Sequence, residues 1–162
     1  YANWNATGEL HASKGFQSRL PSLYDTCLKV GVLPDGDGYI AGYQRGLMGF
    51  CTIENGWSWG QNRKVNPSIC PPALAQGFDR AFNTSSSLEE LDREEAGLIA
   101  DRDRIEDLID DGIVIPYDKL VELRHIRADI DGVDTERRRT RNGFAAWLSR
   151  MGLVPPPELY NY

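Results

Sequence analysis

Three glycines, Gly42, Gly46 and Gly49, run beside a stripe of large apolar side chains, Tyr39, Tyr43, Leu47 and Phe50, and both series keep returning to one side of an α-helix. A glycine inside a helix costs about 1 kcal/mol relative to alanine. A ridge of them persists most easily where another segment must approach the backbone more closely than a Cβ allows, so the pattern calls for tight packing between helices. Trp4, Gly8, Ala12 and Gly15 echo it more weakly, and Gly56 and Gly60 repeat the four-residue spacing once more.

Charge and cysteine divide the 162 residues unevenly. Residues 1–82 hold 7 basic and 6 acidic side chains, 11 of the 16 glycines and all three cysteines, whereas residues 83–162 hold 11 basic and 18 acidic side chains. The border falls at Asn83-Thr84-Ser85-Ser86-Ser87, a polar run of the kind that links or caps. The expected fold is mainly α: a small Gly/Tyr-rich, disulfide-containing helical domain at 1–83, followed by a long antiparallel helical hairpin at 84–162 with a Pro-rich tail. Ser87 and Glu90 have the spacing of a capping box, and Leu88, Leu91, Leu98, Ile99, Ile105, Leu108 and Ile109 recur on one face, predicting a helix over 88–111. Gly112 would end it, Pro116 would lie in the connection, and Asp118 would cap a second helix carrying Leu120, Leu123, Ile126 and Ile130. That helix continues through Phe144, Trp147, Leu148 and Met151 to Gly152 and Pro155-Pro156-Pro157. At 1.5 Å per residue the two helices would measure about 36 and 50 Å. The mismatch means that the second helix either breaks near Asp131-Gly132 or overhangs the hairpin and lays its Phe144-to-Met151 stripe on the first half, and the overhang is the favoured expectation.

Several function classes are disfavoured by composition. No apolar stretch approaches the length of a membrane span, in keeping with a mean hydropathy of -0.46. A net charge of -6 and a pI near 4.9 argue against nucleic acid as a partner. The common hydrolase, nucleotide and redox signatures, G-x-S-x-G, a Walker-type loop, H-E-x-x-H and C-x-x-C, do not occur. Histidine is present only at positions 11 and 125, so zinc is not expected. Asp35-Gly36-Asp37-Gly38 and the run Asp129 to Asp134 miss the spacing of a calcium loop and read as turn residues. No metal, cofactor or catalytic residue is assigned.

The blocks Trp4-x3-Gly8, Tyr24-x2-Cys27, Tyr39-x2-Gly42-x3-Gly46-Leu47-x3-Cys51, Asn55-Gly56-x3-Gly60 and Cys70-Pro71 together resemble a family of small bacterial envelope proteins, many of them predicted lipoproteins. That family is catalogued as domain of unknown function two-seven-nine-nine. The resemblance covers roughly residues 3 to 82 and leaves out the acidic hairpin. It implies export to the periplasm, association with the outer membrane, and anchoring by a lipid on a cysteine ahead of the domain. The sequence begins at Tyr1 without an initiator Met or a lipidation cysteine, which reads as a trimmed or mature chain.

Export would permit a disulfide, and three cysteines leave one over. Cys51 with Cys70 closes the shorter loop and is the first choice; Cys27 with Cys51 is its rival. Trp57 and Trp59, one residue apart, would share a face if that stretch is extended, and so could stack on wall sugars as a peptidoglycan-binding platform. Glu54, beside them, is the candidate acid/base of a small hydrolase, although nothing nearby in sequence supplies its partner. His11, Asp25 and Asp79 are the other titratable candidates of that half. Arg137, Arg138, Arg139 and Arg141 form the one dense basic cluster, expected to pair with the acidic run from Asp101 to Asp111 on a solvated face. With no complete catalytic signature, the sequence points to a non-enzymatic envelope component that binds another protein. The acidic hairpin is its expected docking surface, and Phe144, Trp147, Leu148 and Met151 are the candidate contact residues.

Overall fold

A computed structural model describes residues 3–155, which contain six helices and no strand. The chain is mainly α, as the periodicity predicts. Contacts group it into two compact units, residues 1–83 and 84–162.

In the first unit, α1 (Trp4–Ser13), α2 (Leu20–Leu28), α3 (Gly36–Phe50) and α4 (Ile53–Gln61) lead into α5 (Pro72–Asp110). Three of these helices start on side-chain caps that satisfy amides left free in the first turn: Asn3 accepts from Ala6, Asp35 from Gly38 at 2.9 Å, and Thr52 from Asn55 at 3.1 Å. Asp35 is thus a helix cap. The glycine ridge is an interface between α1 and α3. A Cβ on Gly42 would strike the carbonyl oxygen of Asn5, and one on Gly8 would strike that of Tyr39. Gly46 faces the Glu9 backbone and the Ala12 methyl. Gly49 departs from the expected ridge: nothing lies within 4 Å of where its Cβ would be. Asn5 stands opposite Gly42 and Glu9 opposite Gly46, so the next partner would fall near Ser13, where α1 ends.

Tyr39, Leu47 and Phe50 are buried; Leu47 and Phe50 share a core with Ala12, Cys51 and Phe78, with Tyr43, Trp59 and Leu74 packed alongside, and Tyr39 stacks on Tyr43. Cys51 is bonded to Cys70, with 5.6 Å between their Cα atoms, which ties the end of α3 to the residues just ahead of α5. Cys27 is a free thiol. Gly56 brings α4 against α5, since a Cβ there would meet the Phe78 carbonyl.

The second unit consists of the rest of α5 and α6 (Tyr117–Arg150). Here the structure corrects the expected boundaries. The run Asn83 to Ser87 lies inside α5, and the Ser87–Glu90 spacing marks no helix start. Leu74, Phe78, Ala81, Ser85 and Leu88 continue one helical stripe straight through it, with Ser85 fully buried. No Gly or Pro interrupts residues 78–96, and extending an existing helix is far easier than nucleating a new one. Likewise α6 passes Gly132 unbroken for 34 residues, about 51 Å at 1.5 Å per residue. Its N-cap is Pro116, and Asp118 falls within the first turn, where the helix dipole favours an acid. Pro156, Pro157 and the rest of the Pro-rich tail lie outside the described residues.

Ile105, Leu123 and Ile126 form the hairpin's core with Leu98, Ile115 and Ile130. Along α6 the inward positions Leu123, Ile126, Ile130, Val133 and Arg137 alternate steps of three and four, so Arg137 occupies a core position although it is charged.

Candidate functional site

The turn between α5 and α6 gathers a group of exposed apolar side chains, and its shape follows from how α5 stops. Gly112 adopts a left-handed φ of +73°. Its N–H donates to Ile109 at 3.0 Å, and the N–H of Ile113 donates to Leu108 at 3.0 Å. This is a Schellman ending, in which a residue past the helix characteristically packs back on the last turn. Ile113 and Leu108 are that pair, and they line a groove of about 400 Å³ together with Ile105 and Ile115. Beyond it the chain has little cover: Val114 is 95 % exposed, Tyr117 76 % and Ile113 51 %. Leu108, Ile109 and Leu120 are exposed as well. Single exposed apolar residues are ordinary, but a contiguous group around a groove is the usual mark of an interaction surface.

The segment that makes the turn is also uniformly acidic. Residues 107–118 carry Asp107, Asp110, Asp111 and Asp118 and no Lys or Arg. None of these four is in a salt bridge among the described residues. In the wall of the groove itself the charges do pair, Asp101 with Arg104 at 3.0 Å and Glu122 with Lys119 at 2.6 Å, and beyond it Glu106 pairs with Arg127 at 2.7 Å. The sequence periodicity assigns Leu108 and Ile109 to the helix face and leaves Ile113, Val114 and Tyr117 unassigned. The available signal was six large apolar residues packed between 108 and 117 among acids alone.

The residues singled out from sequence fall elsewhere. Phe144 and Leu148 are 1 % and 2 % exposed, so these two are core side chains and cannot serve as docking contacts. Trp147 is partly covered and stacks on Phe144 with ring centroids 5.5 Å apart, whereas Met151 is exposed. Trp57 and Trp59 do not form a shared platform, because the segment is helical and residues two apart on a helix point to different sides. Trp59 packs edge-on against Phe50 at 5.0 Å, donates its indole N–H to Val65, and lies under the Lys64 ammonium. Glu54 is exposed in the first turn of α4, at the edge of a groove of about 520 Å³ that also presents Ser13, Thr52, Asn55 and Ser58. No second ionisable side chain lines that groove.

His11 sits in a fixed network. Its Nδ1 is 2.8 Å from the hydroxyl of the fully buried Tyr39, and that hydroxyl also accepts the Arg19 N–H at 3.0 Å. Burial, followed by the positive charges of Arg19 and Lys14, lowers the His11 pKa. Asp79 accepts a hydrogen bond from Asn66 at 2.8 Å. Of the basic cluster, Arg137 pairs with Asp92 at 2.9 Å and with Glu95, both on α5, in place of the expected run from 101 to 111. Those bonds, with Glu95 foremost, raise its pKa. Arg138 and Arg139 pair within their own helix, with Asp134 and Glu136.

The family model described as Protein of unknown function (DUF2799) matches residues 3–87, which is more than half of the chain. The chain belongs to this family. No curated protein and no solved structure matches it. The DUF2799 segment takes in α1 to α4, the disulfide and the first turns of α5. The hairpin tip lies outside it. Several residues that carry the DUF2799 resemblance, Gly8, Gly42, Gly46, Gly56, Cys51 and Cys70, are those at the closest backbone approaches and at the covalent link.

Proposed function

We propose that this DUF2799 protein is a non-enzymatic component of the bacterial cell envelope, held in the periplasm and acting by docking another protein on the tip of its hairpin. The observation that carries the reading is the exposed apolar tip, Ile113, Val114 and Tyr117, around a groove backed by Leu108 and Ile115. An exposed group of that kind on a charged hairpin is costly to keep in water unless something covers it. The Cys51–Cys70 bond supports the compartment, because such bonds persist where the surroundings are oxidising. Association with the outer membrane through a lipid ahead of the domain belongs to the same reading. No helix among the described residues is long and apolar enough to cross a membrane.

Sugar binding and hydrolysis draw less from the geometry, since Trp57 and Trp59 diverge and Glu54 has no ionisable partner in its groove. The test is fractionation of a bacterium expressing the tagged chain from its native precursor, combined with photocrosslinking from a benzophenone placed at position 114. Recovery with the envelope, and a crosslink to one protein identified by mass spectrometry, is expected. Cytoplasmic recovery, or crosslinks to no protein, would remove the proposal.

A further inference from the structure

We infer that the partner segment seated on the hairpin tip is a cationic amphipathic helix, with aliphatic side chains entering the groove and Lys or Arg flanking them. The inference rests on the docking function proposed above and names the chemistry of the occupant.

Three observations select it. Charge is the first: the two bases that line the groove are paired with acids of the same wall, Arg104 with Asp101 and Lys119 with Glu122, which leaves Asp118 there, and Asp107, Asp110 and Asp111 in the adjoining segment, outside any salt bridge among the described residues. Such a rim attracts a cationic partner and repels an anionic one, which supplies orientation and speed of encounter beyond what the apolar contact gives. It equally disfavours anionic lipid head groups, and it sets acid against acid if two tips of this chain meet. Size is the second. A groove of about 400 Å³, walled by Ile105, Leu108, Ile113 and Ile115, lies at the small end of the roughly 300–1,000 Å³ range of binding pockets and suits a few aliphatic side chains. The third is backbone chemistry. The described residues contain no strand, so an extended peptide finds no sheet edge to extend, and the remaining common mode for a groove between helices is an amphipathic helix laid into it. In that mode the partner satisfies its own backbone and contributes only side chains.

The experiment uses the full chain with its disulfide intact and a fluorescein-labelled helical peptide bearing leucines at i, i+3, i+4 and i+7 and lysines elsewhere. A twin peptide carries glutamates in place of the lysines, and binding is read by anisotropy at low and high salt. The lysine peptide is expected to bind more tightly than its twin by about tenfold or more, with affinity falling as salt rises. Asp110→Lys with Asp111→Lys should reverse the preference. Val114→Ser with Tyr117→Ser should weaken the lysine peptide about tenfold, and circular dichroism should be unchanged because both side chains are largely in water. The inference is overturned by equal binding of the two peptides, or by tip variants that bind as the original does. It is overturned too by self-association of the chain that the tip variants abolish, or by tip-dependent binding to phosphatidylglycerol vesicles. Failure here alongside a protein crosslink from position 114 would leave the docking function standing and remove only the cationic helix.

Discussion

What Gly42 can be replaced by is decided by a single methyl group. A Cβ there would collide with the Asn5 carbonyl, which is backbone within α1 and cannot swing aside. Gly42→Ala must push the two helices apart, and it is expected to destabilise the protein by about 2–4 kcal/mol in urea unfolding. Gly49→Ala, on the same helix with open space beside it, should be neutral or stabilising by up to about 1 kcal/mol. Equal effects at the two positions would contradict the packing described. The four-residue spacing made the ridge legible in sequence; where its partner helix stops was obscured, because Gly15, which ends α1 with a φ of +75°, reads there as one more small residue of the weaker echo. His11 offers a second test at this scale. Its lowered pKa means that the unfolded chain binds a proton more readily than the folded one, so protonation favours unfolding. The contribution is fully present above about pH 6.5, the ordinary histidine value, and is lost as pH falls from there through the lowered folded value. Comparing urea midpoints at pH 5 and pH 8 for the original and for His11→Gln should show a shallower pH dependence in the variant.

At the scale of elements, a polar layer interrupts the apolar stripe of the hairpin. Arg137 is 8 % exposed and bonded across to Asp92 and Glu95, which take stripe positions on α5 that apolar residues fill elsewhere. Arg137→Leu leaves two carboxylates facing an apolar side chain. Discounted for the exposure of Asp92, it should cost about 1–3 kcal/mol. Replacing Asp92, Glu95 and Arg137 together by leucine should recover most of that loss, with broader NMR lines in the hairpin if the layer specifies a single register. A triple variant as unstable as the single one would argue that the layer contributes net stability. The helical stripes of α5 and α6 were readable because Leu, Ile and Phe recur at steps of three and four. Arg137 was hidden by its charge, though its distance of four from Val133 and seven from Phe144 places it on the same stripe. The start of α5 was misplaced for a related reason: residues 83–87 look like a cap, yet Phe78, Ala81 and Leu88 keep the period on either side. The tip is not legible in the periodicity because its residues follow no repeat, being defined by what fails to cover them.

Across the whole molecule, chemistry is segregated: the only covalent link lies in the nearly neutral residues 1–82, and the surplus of acid lies beyond them. The link joins residues 19 apart in sequence, a loop whose closure removes unfolded-state entropy equivalent to about 3 kcal/mol in the chain-entropy model. Cys51 is buried within the core that holds Phe50 and Phe78, with Trp59 packed on Phe50, so loss of the bond acts on the packed centre of the first unit. Reduction, verified by three titratable thiols, should therefore lower unfolding stability by about 3 kcal/mol when followed by tryptophan fluorescence. Cys51→Ser with Cys70→Ser should reproduce the loss, and Cys27→Ser, which leaves the bond intact, should not. A reduced protein as stable as the oxidised one would show that the glycine-mediated packing suffices alone. The expected loss ties folding to compartment: about 3 kcal/mol is a large fraction of the roughly 5–15 kcal/mol that holds a typical domain together, so a chain kept in a reducing cell interior would sit measurably closer to unfolding than one exported to an oxidising space.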